Sequence, residues 1–426
     1  MTLKMKQELV QKHKLPEGWK WAKFNEVAVM KGRIGWRGLN TSDYTSKGPI
    51  LLSVNNITQD FKLDISRATY ITQKSYDESP EIMINDGDLL LSKSGTIGRT
   101  CIVHKVEHPM TVNAAINVIK VNNKLLNNKY LMYFYASSLG QKIFSKLAVG
   151  MAQKNMFQRD LNVMPILLPP LQVQKQIVAK LDAQMAQIEI MKKEAEKEKE
   201  ASDEIFQSFL TKEILDNAKE WEKIKIENLC SLMTGGTPSK SVESYWDKGD
   251  INWLASGDVN KEIIYEVEGK ITQEGMNNSN TKMIPINSIL IALNGQGKTR
   301  GTVAVLKVES TCNQSLVAFI PKDNNQLDYK FLFYYLKASY QKLRNITGDN
   351  ERSGLSMRIL NNYLISIPKI KIQREIVKKI ELFNNQQKNI KEQISQKLSA
   401  ISLLPSSILN EVFGKYEIPN EKENGK

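Results

Sequence analysis

Few residues in this chain are of a type and spacing that could carry out a reaction. Histidine is limited to His13, His104 and His108. His104 and His108 stand four apart, the spacing at which a helix presents two imidazoles to one zinc ion. They flank a strand-like Val-Glu segment that ends at Pro109, so that helical geometry does not apply and no metal is expected. The run Ala292-Leu-Asn294-Gly295-Gln296-Gly297-Lys298-Thr299 ends like a phosphate-cradling loop, but Ala292 stands where the first glycine of such a loop belongs. Leu168-Pro169-Pro170-Leu171 is superficially like the Asn/Asp-Pro-Pro-aromatic loop of amino methyltransferases. It lacks both the polar residue that would hold an amine and the aromatic that would stack on a base. No Gly-rich S-adenosylmethionine loop follows an early strand, and no carboxylate with Glu-x-Lys nuclease spacing is present. No catalytic residue is therefore expected.

What remains are polar, Gly-containing segments suited to phosphates and base edges. In the first half these are Ser92-Lys93-Ser94-Gly95-Thr96-Ile97-Gly98-Arg99 and Gly150-Met-Ala-Gln153-Lys154-Asn155, with Arg159. In the second half they are Asn294-Gly-Gln296-Gly-Lys298-Thr299-Arg300-Gly301 and Asp349-Asn-Glu351-Arg352-Ser353. Arg and Lys match guanine edges and phosphates, Asn and Gln match adenine, and glycine lets a backbone approach closely. Taken singly, each is also what an ordinary solvated turn looks like. Their recurrence at corresponding places favours a binding role.

That correspondence belongs to a long internal repeat. Thr111-Val-Asn113-Ala-Ala-Ile116 lines up with Thr311-Cys-Asn313-Gln-Ser-Leu316, and Gln141-Lys142 with Gln341-Lys342. Further on, Leu171-Gln-Val-Gln174-Lys-Gln-Ile177-Val178 lines up with Ile370-Lys-Ile-Gln373-Arg-Glu-Ile376-Val377. Each copy reads as a Trp-led opening (Trp19-Lys-Trp21, Trp221) followed by a strand and Gly turn, Met30-Lys-Gly32 or Met233-Thr-Gly235. Short apolar strands come next, at Gly48–Ser53 and Asp88–Ser92, or at Gly249–Leu254 and Ser288–Ala292. An aromatic-rich helix then spans Tyr130–Lys146 or Phe331–Arg344, and proline closes the globular part.

Beyond each proline an apolar register steps by four and three. It runs through Ile177, Leu181, Gln184, Ile188, Met191, Ala195, Glu198, Ser202, Ile205 and Phe209 in the first copy. In the second it runs through Ile376, Ile380, Phe383, Gln387, Ile390, Ile394, Lys397, Ile401, Leu404 and Ile408. Spacing of this kind predicts a coiled-coil seam. A helix from Leu171 to Lys212 would measure roughly 60 Å at ~1.5 Å per residue. A turn of B-DNA is about 34 Å. The simplest partner for each helix is the other one in the same chain, with a homodimeric coiled coil as the alternative.

The charge is unevenly placed. Pro16–Pro170 holds 19 Lys and Arg against 12 Asp and Glu, and Trp221–Lys369 holds 18 against 15. Leu171–Glu220 holds 8 against 11, so the positive excess lies mainly on a globular part, as a polyanion-binding surface requires. No run of 18 apolar residues marks a membrane span, and the N-terminal residues lack the pattern of a secretory signal. Three scattered cysteines, Cys101, Cys230 and Cys312, fit a reducing cytoplasm better than a disulfide framework.

Taken together, these features resemble the specificity subunits of type I restriction–modification enzymes. The resemblance runs from Leu15 to about Phe413. It is carried by the Trp19-x-x-x-x-Phe24 type of opening, the 294–301 loop, the 150–155 segment, and the doubled Leu/Ile-x-Val/Ile-Gln start of each long helix. It implies an α+β fold of two mixed α/β target-recognition domains, 15–170 and 221–369. These would be joined by long helices in 171–220 and 370–414 that pair as an antiparallel intramolecular coiled coil, between a basic leader, 1–14, and a polar tail, 415–426. It further implies that each domain reads one half of an asymmetric split target in double-stranded DNA, and that the coiled coil sets the spacing and docks DNA adenine methyltransferase subunits. Restriction/translocase subunits would complete the complex, with S-adenosylmethionine, ATP and Mg2+ on those partners and no cofactor on this chain. The first domain has Lys93-Ser94-Gly95-Thr96 where the second has a longer loop, which implies different half-sites. Two further readings stay open on the residues alone: a coiled-coil scaffold that does not touch DNA, and a stand-alone bipartite DNA-binding regulator.

Overall fold

The computed structural model describes residues 15–33, 39–150, 154–294, 299–346 and 355–419. The chain divides into two compact units, one of residues 1–194 with 397–426 and one of residues 195–396. Each holds one globular head and a stretch of both long helices.

In the first unit the inner strands of a four-stranded sheet are buried on both faces, which explains their near-continuous apolar runs, while the edge strand Ala28–Gly32 alternates, with Val29 and Lys31 exposed. Its strands Ala28–Gly32, Ile116–Val121, Leu89–Ser92 and Thr100–Ile102 lie side by side in that order, all antiparallel. Alternation along Leu89, Leu90 and Leu91 sends the outer two toward a core shared with the helices. The middle one faces a second core beneath the three-stranded sheet formed by Thr69–Ile71, Tyr44–Leu52 and Met110–Val112. The second unit repeats this plan. Cys230–Thr234, Leu316–Pro321, Ile289–Ala292 and Val303–Leu306 form the same antiparallel order, extended by Ile263–Ile264. Lys270–Ile271, Ile251–Leu254 and Thr311–Cys312 form its smaller sheet. The duplication read from the sequence is thus a duplication of topology.

The aromatic helix expected over Tyr130–Lys146 is two helices, Asn128–Ala136 and Ser138–Leu147. Ser137 is extended between them and its hydroxyl donates to the Phe134 carbonyl at 2.6 Å while accepting from the Gly140 amide at 3.2 Å. Gly140 is required there, because a Cβ would lie 2.3 Å from the Phe134 carbonyl oxygen. The second head breaks likewise, into Tyr329–Ala338 and Tyr340–Asn345.

Antiparallel strand pairs, Lys20–Lys23 with Pro165–Leu168 and Glu222–Lys225 with Leu364–Ile367, close the heads and lead directly into the long helices. The first of these spans Leu171–Leu210, followed by a wider π-type turn over Thr211–Asp216; the second spans Ile370–Phe413. Within each unit the two helices run antiparallel. In the second, the Ser202 hydroxyl donates to Gln387 Oε1 at 2.7 Å, Asp203 meets Lys391, and Glu213 meets Lys379, so numbers fall on one helix as they rise on the other. In the first, Lys180 pairs with Glu411.

Leu181, Ala195, Ile380, Ile394 and Ile401 are buried as the seam requires, while Ile177, Ile188, Met191, Phe209, Phe383, Leu404 and Ile408 are half-buried. Two expected seam residues are corrected. Ile205 is 53% exposed and Ile390 41% exposed. From Ser202 the buried positions step by fours, through Phe206, Leu210 and Ile214, and from Ile401 they pass to Leu409 and Phe413. Steps of four rotate the apolar stripe off a 3.5-residue seam and carry it onto the head's own core. Accordingly Phe206, Leu210 and Ile214 belong to the core of the second head, and Leu409, Phe413 and Tyr416 to that of the first. The polar pair in the seam is Ser202 with Gln387; Glu198 and Lys397 are exposed.

One glutamine per copy anchors each head to its helix. Gln174 is fully buried; its amide donates to the carbonyls of Leu125 and Pro169, both at 2.9 Å, and its oxygen accepts from the Asn127 amide at 2.8 Å. Gln373 does the same with the Gln326 and Pro368 carbonyls and the Asp328 amide. Beside them, Lys129 and the Tyr133 hydroxyl both meet Asp182 at 2.7 Å, as Lys330 meets Glu381. Burial, and then the Asp182 carboxylate, push the Tyr133 hydroxyl well up; Tyr334 is pushed up to about 12 by burial with Glu381 adding to it.

Candidate nucleic-acid interface

Of the segments singled out for binding, those beginning at Ser92 and Asn294 follow corresponding strands, Leu89–Ser92 and Ile289–Ala292, at the same end of the larger sheet of each head. In the first head the Ser92 hydroxyl ties the loop shut, donating to the Thr96 carbonyl at 2.6 Å and accepting from the Arg99 amide at 2.8 Å. Gly98, at φ +81°, donates its N–H to the Ser92 carbonyl at 3.0 Å. The Lys93 amide donates to the Ala115 carbonyl and the Lys93 carbonyl accepts from the Met156 amide, both at 2.8 Å. The second bond, with a bridge between Ser94 and Asn155, joins the loop to the 149–156 segment. Lys93, Ser94, Lys154 and Asn155 therefore come together, with Thr96 exposed nearby in sequence; Gln153 lies outside the described residues.

Arg99 is turned elsewhere, donating to the Ile57 carbonyl at 3.2 Å. Arg159 is highly exposed on the Gln158–Asn162 helix, paired with Asp160 at 3.1 Å and lying 5.8 Å over the exposed Phe157 ring.

The second head uses the same frame with a longer insert. The Leu293 amide donates to the Ser315 carbonyl at 2.8 Å and the Leu355 amide to the Leu293 carbonyl at 3.1 Å, the counterparts of the two Lys93 bonds. Gly301, at φ +83°, returns its N–H to the Ala292 carbonyl at 2.9 Å, closing a loop three residues longer than that from Ser92 to Gly98. Asn294 is exposed, Thr299 turns the chain through a 3.0 Å bond from the Thr302 amide, and Arg300 donates to the Arg344 carbonyl at 3.3 Å. Gln296, Lys298, Arg352 and Ser353 lie outside the described residues.

Two residues of the first head were not read from the sequence. Arg33 is buried and donates through Nε to the Val112 carbonyl at 3.2 Å; its Nη2 has no partner among the described residues. Burial pulls its pKa down from the ordinary value, against the opposing field of Glu81 and Asp43. Asn117 is fully buried and donates to the Met30 sulfur, leaving its Oδ1 without a partner among the described residues. An amide inside the otherwise apolar run Ile116-Asn117-Val118-Ile119 is the signal that could have found it.

In the first head Lys93 and Lys154, with Ser94 and Asn155 beside them, group donors of the kind that suit a polyanion. The family description "Type I restriction modification DNA specificity domain" matches residues 16–199 and again residues 218–400. The chain belongs to this family, with two copies of its domain. It is similar to the EcoR124I/EcoR124II specificity subunit of Escherichia coli, at 30% identity over 166 residues. That segment is 38% of this chain and about two-fifths (41%) of that relative. With the EcoKI specificity subunit of Escherichia coli strain K12 the identity is 22% over 422 residues, 94% of this chain and 89% of the relative. The fold is like a chain solved in the description of type I R-M system complex assembly and conformational transition, with TM-score 0.66, 18% identity and coverage of 94% and 99%. The HsdS subunit from Thermoanaerobacter tengcongensis gives TM-score 0.50 at 17% identity, with 94% and 98% covered. Among the described residues no helix is long and apolar enough to cross a membrane.

Proposed function

We propose that this chain reads DNA for a type I restriction–modification complex. Each head recognises one half of a split, asymmetric target, and the helix pair holds the half-sites at a fixed spacing. The observation that supports this most is the pairing of one repeated scaffold with two unlike loops, Ser92–Gly98 and the longer Ala292–Gly301, leaving the same sheet end. Scaffolds of the same strand order would give both heads the same approach to a duplex; different loops would give them different base preferences. The long helices present largely charged outer surfaces on which DNA adenine methyltransferase subunits would dock, with restriction/translocase subunits added to these. S-adenosylmethionine, ATP and Mg2+ belong to those partners, and so does the chemistry. The buried free thiols of Cys101, Cys230 and Cys312 suit a reducing cytoplasm.

The test is a competition assay on the complex of this chain with its methyltransferase subunits. Adding or removing one base pair between the half-sites is expected to weaken binding at least roughly tenfold, since one head then loses its base contacts. Affinity should also fall steeply and log-linearly with salt. Affinity indifferent to both spacer and salt would favour the scaffold reading. Spacer-dependent binding by the chain alone, without methyltransferase partners in the native cell, would favour the stand-alone regulator.

A further inference from the structure

The two heads differ in one place beneath their loops, at the end of the four-stranded sheet. In the first head Gly32 lies opposite Asn117 across two neighbouring strands. The missing side chain leaves a space into which two polar atoms reach. A Cβ on Gly32 would stand 2.3 Å from Asn117 Oδ1 and 3.2 Å from Lys93 Nζ. In the second head the same places are closed. Thr234 lies opposite Val317, with its hydroxyl turned to the Leu316 carbonyl, and Leu293 stands where Lys93 does. Both Leu293 and Val317 are packed into the head's core.

We propose that Lys93 is a specificity-determining residue of the first head, its ammonium donating to the acceptor edge of a guanine in the half-site that head reads. The second head, with leucine at this place, has no such donor. The inference rests on the DNA-reading function proposed above.

Three observations carry it. Lys93 is fixed at the root of the loop by both of its backbone groups, so the stem of the side chain starts from a defined point. Its amine has no acceptor among the described hydrogen bonds and ion pairs, although the half-buried side chain reaches over Gly32 and its burial pulls its pKa down. An ammonium lying so, without an acceptor, gains more from a new one than a fully hydrated surface lysine does. Guanine offers N7 and O6 on its major-groove edge, the acceptor pair that lysine most commonly reads. The neighbours Ser94, Lys154 and Asn155 supply further polar groups at the same spot.

The experiment selects bound duplexes from a pool randomised over both half-sites, using the methyltransferase complex of the wild type, of Lys93→Leu and of Lys93→Met. The expected result is loss of preference for guanine, roughly tenfold or more, at one or two adjacent positions of one block. The other block and the spacer should be unchanged in both variants, which also reports that they fold. Even weakening of all sequences with a shallower salt dependence would make Lys93 a phosphate contact and overturn the proposal, as would wild-type preferences in both variants. A wild-type pool in which no block is enriched would sink the DNA-reading function itself.

Discussion

Replacing Phe413 with alanine is expected to destabilise the first head by about 3–5 kcal/mol while sparing the second. Phe413 sits at the end of the second long helix, far in sequence from the residues it touches. Its ring is fully buried and meets Tyr130 and Phe134 edge-on, with centroids 5.6 and 5.8 Å away. Leu409 and Tyr416 enter the same core, and Trp19 packs against Tyr416 at 5.3 Å. The end of the second helix is therefore part of the first head's interior. Hydrogen exchange reads the effect by strand. Amides of Leu89–Ser92 should exchange roughly a hundredfold or more faster, and those of Ile289–Ala292 at the wild-type rate. Equal acceleration in both strands, or in neither, would show that the closing helix does not stabilise the first head in this way.

The second large effect is expected from Gln373→Leu. The leucine matches the glutamine in bulk but leaves the Gln326 and Pro368 carbonyls and the Asp328 amide without their partner. Unsatisfied buried groups of this kind cost about 1–3 kcal/mol each, only partly additively, so a loss on the order of 3 kcal/mol is expected for the second head. Gln174→Leu should do the same to the first head. Denaturant unfolding followed by exchange in each head distinguishes the two variants. If both prove as stable as the wild type, the glutamines are not the bolts between head and helix that their geometry indicates. The same loosening should broaden the spacing of half-sites that the protein accepts, because the bolt lies where head and helix join.

Much of this architecture is written in the sequence because duplication makes weak signals repeat. The Gln174 and Gln373 runs were visible as matching positions, although a lone buried glutamine is indistinguishable from a surface one. The seam was legible through Ala195, Ile394 and Ile401, which are buried outside the cores of both heads. It failed at Ile205, because there the stripe turns to serve a head, and a heptad count has no knowledge of that head; Phe206 wins the inward place. The break at Ser137, just past the aromatic run that ends at Tyr135, was missed because a serine hydroxyl that caps a helix looks like one that decorates it. Among the candidate binding residues, Lys93 and Asn155 were picked by type, and the fold brings them together. Arg99 shares that type but is spent on the Ile57 carbonyl, a difference only tertiary structure reveals. Arg33 and Asn117 escaped because their burial depends on distant partners: the Val112 carbonyl of the smaller sheet for one, Gly32 on the neighbouring strand for the other.

The central claim, that two unlike heads at a fixed separation select one target, is tested most directly by mapping adenine methylation across the native genome with and without this gene. The account predicts one non-palindromic motif of two short, different blocks separated by a constant number of unspecified base pairs, lost when the gene is removed. A motif that is contiguous or palindromic, or a methylation pattern indifferent to the gene, would contradict it.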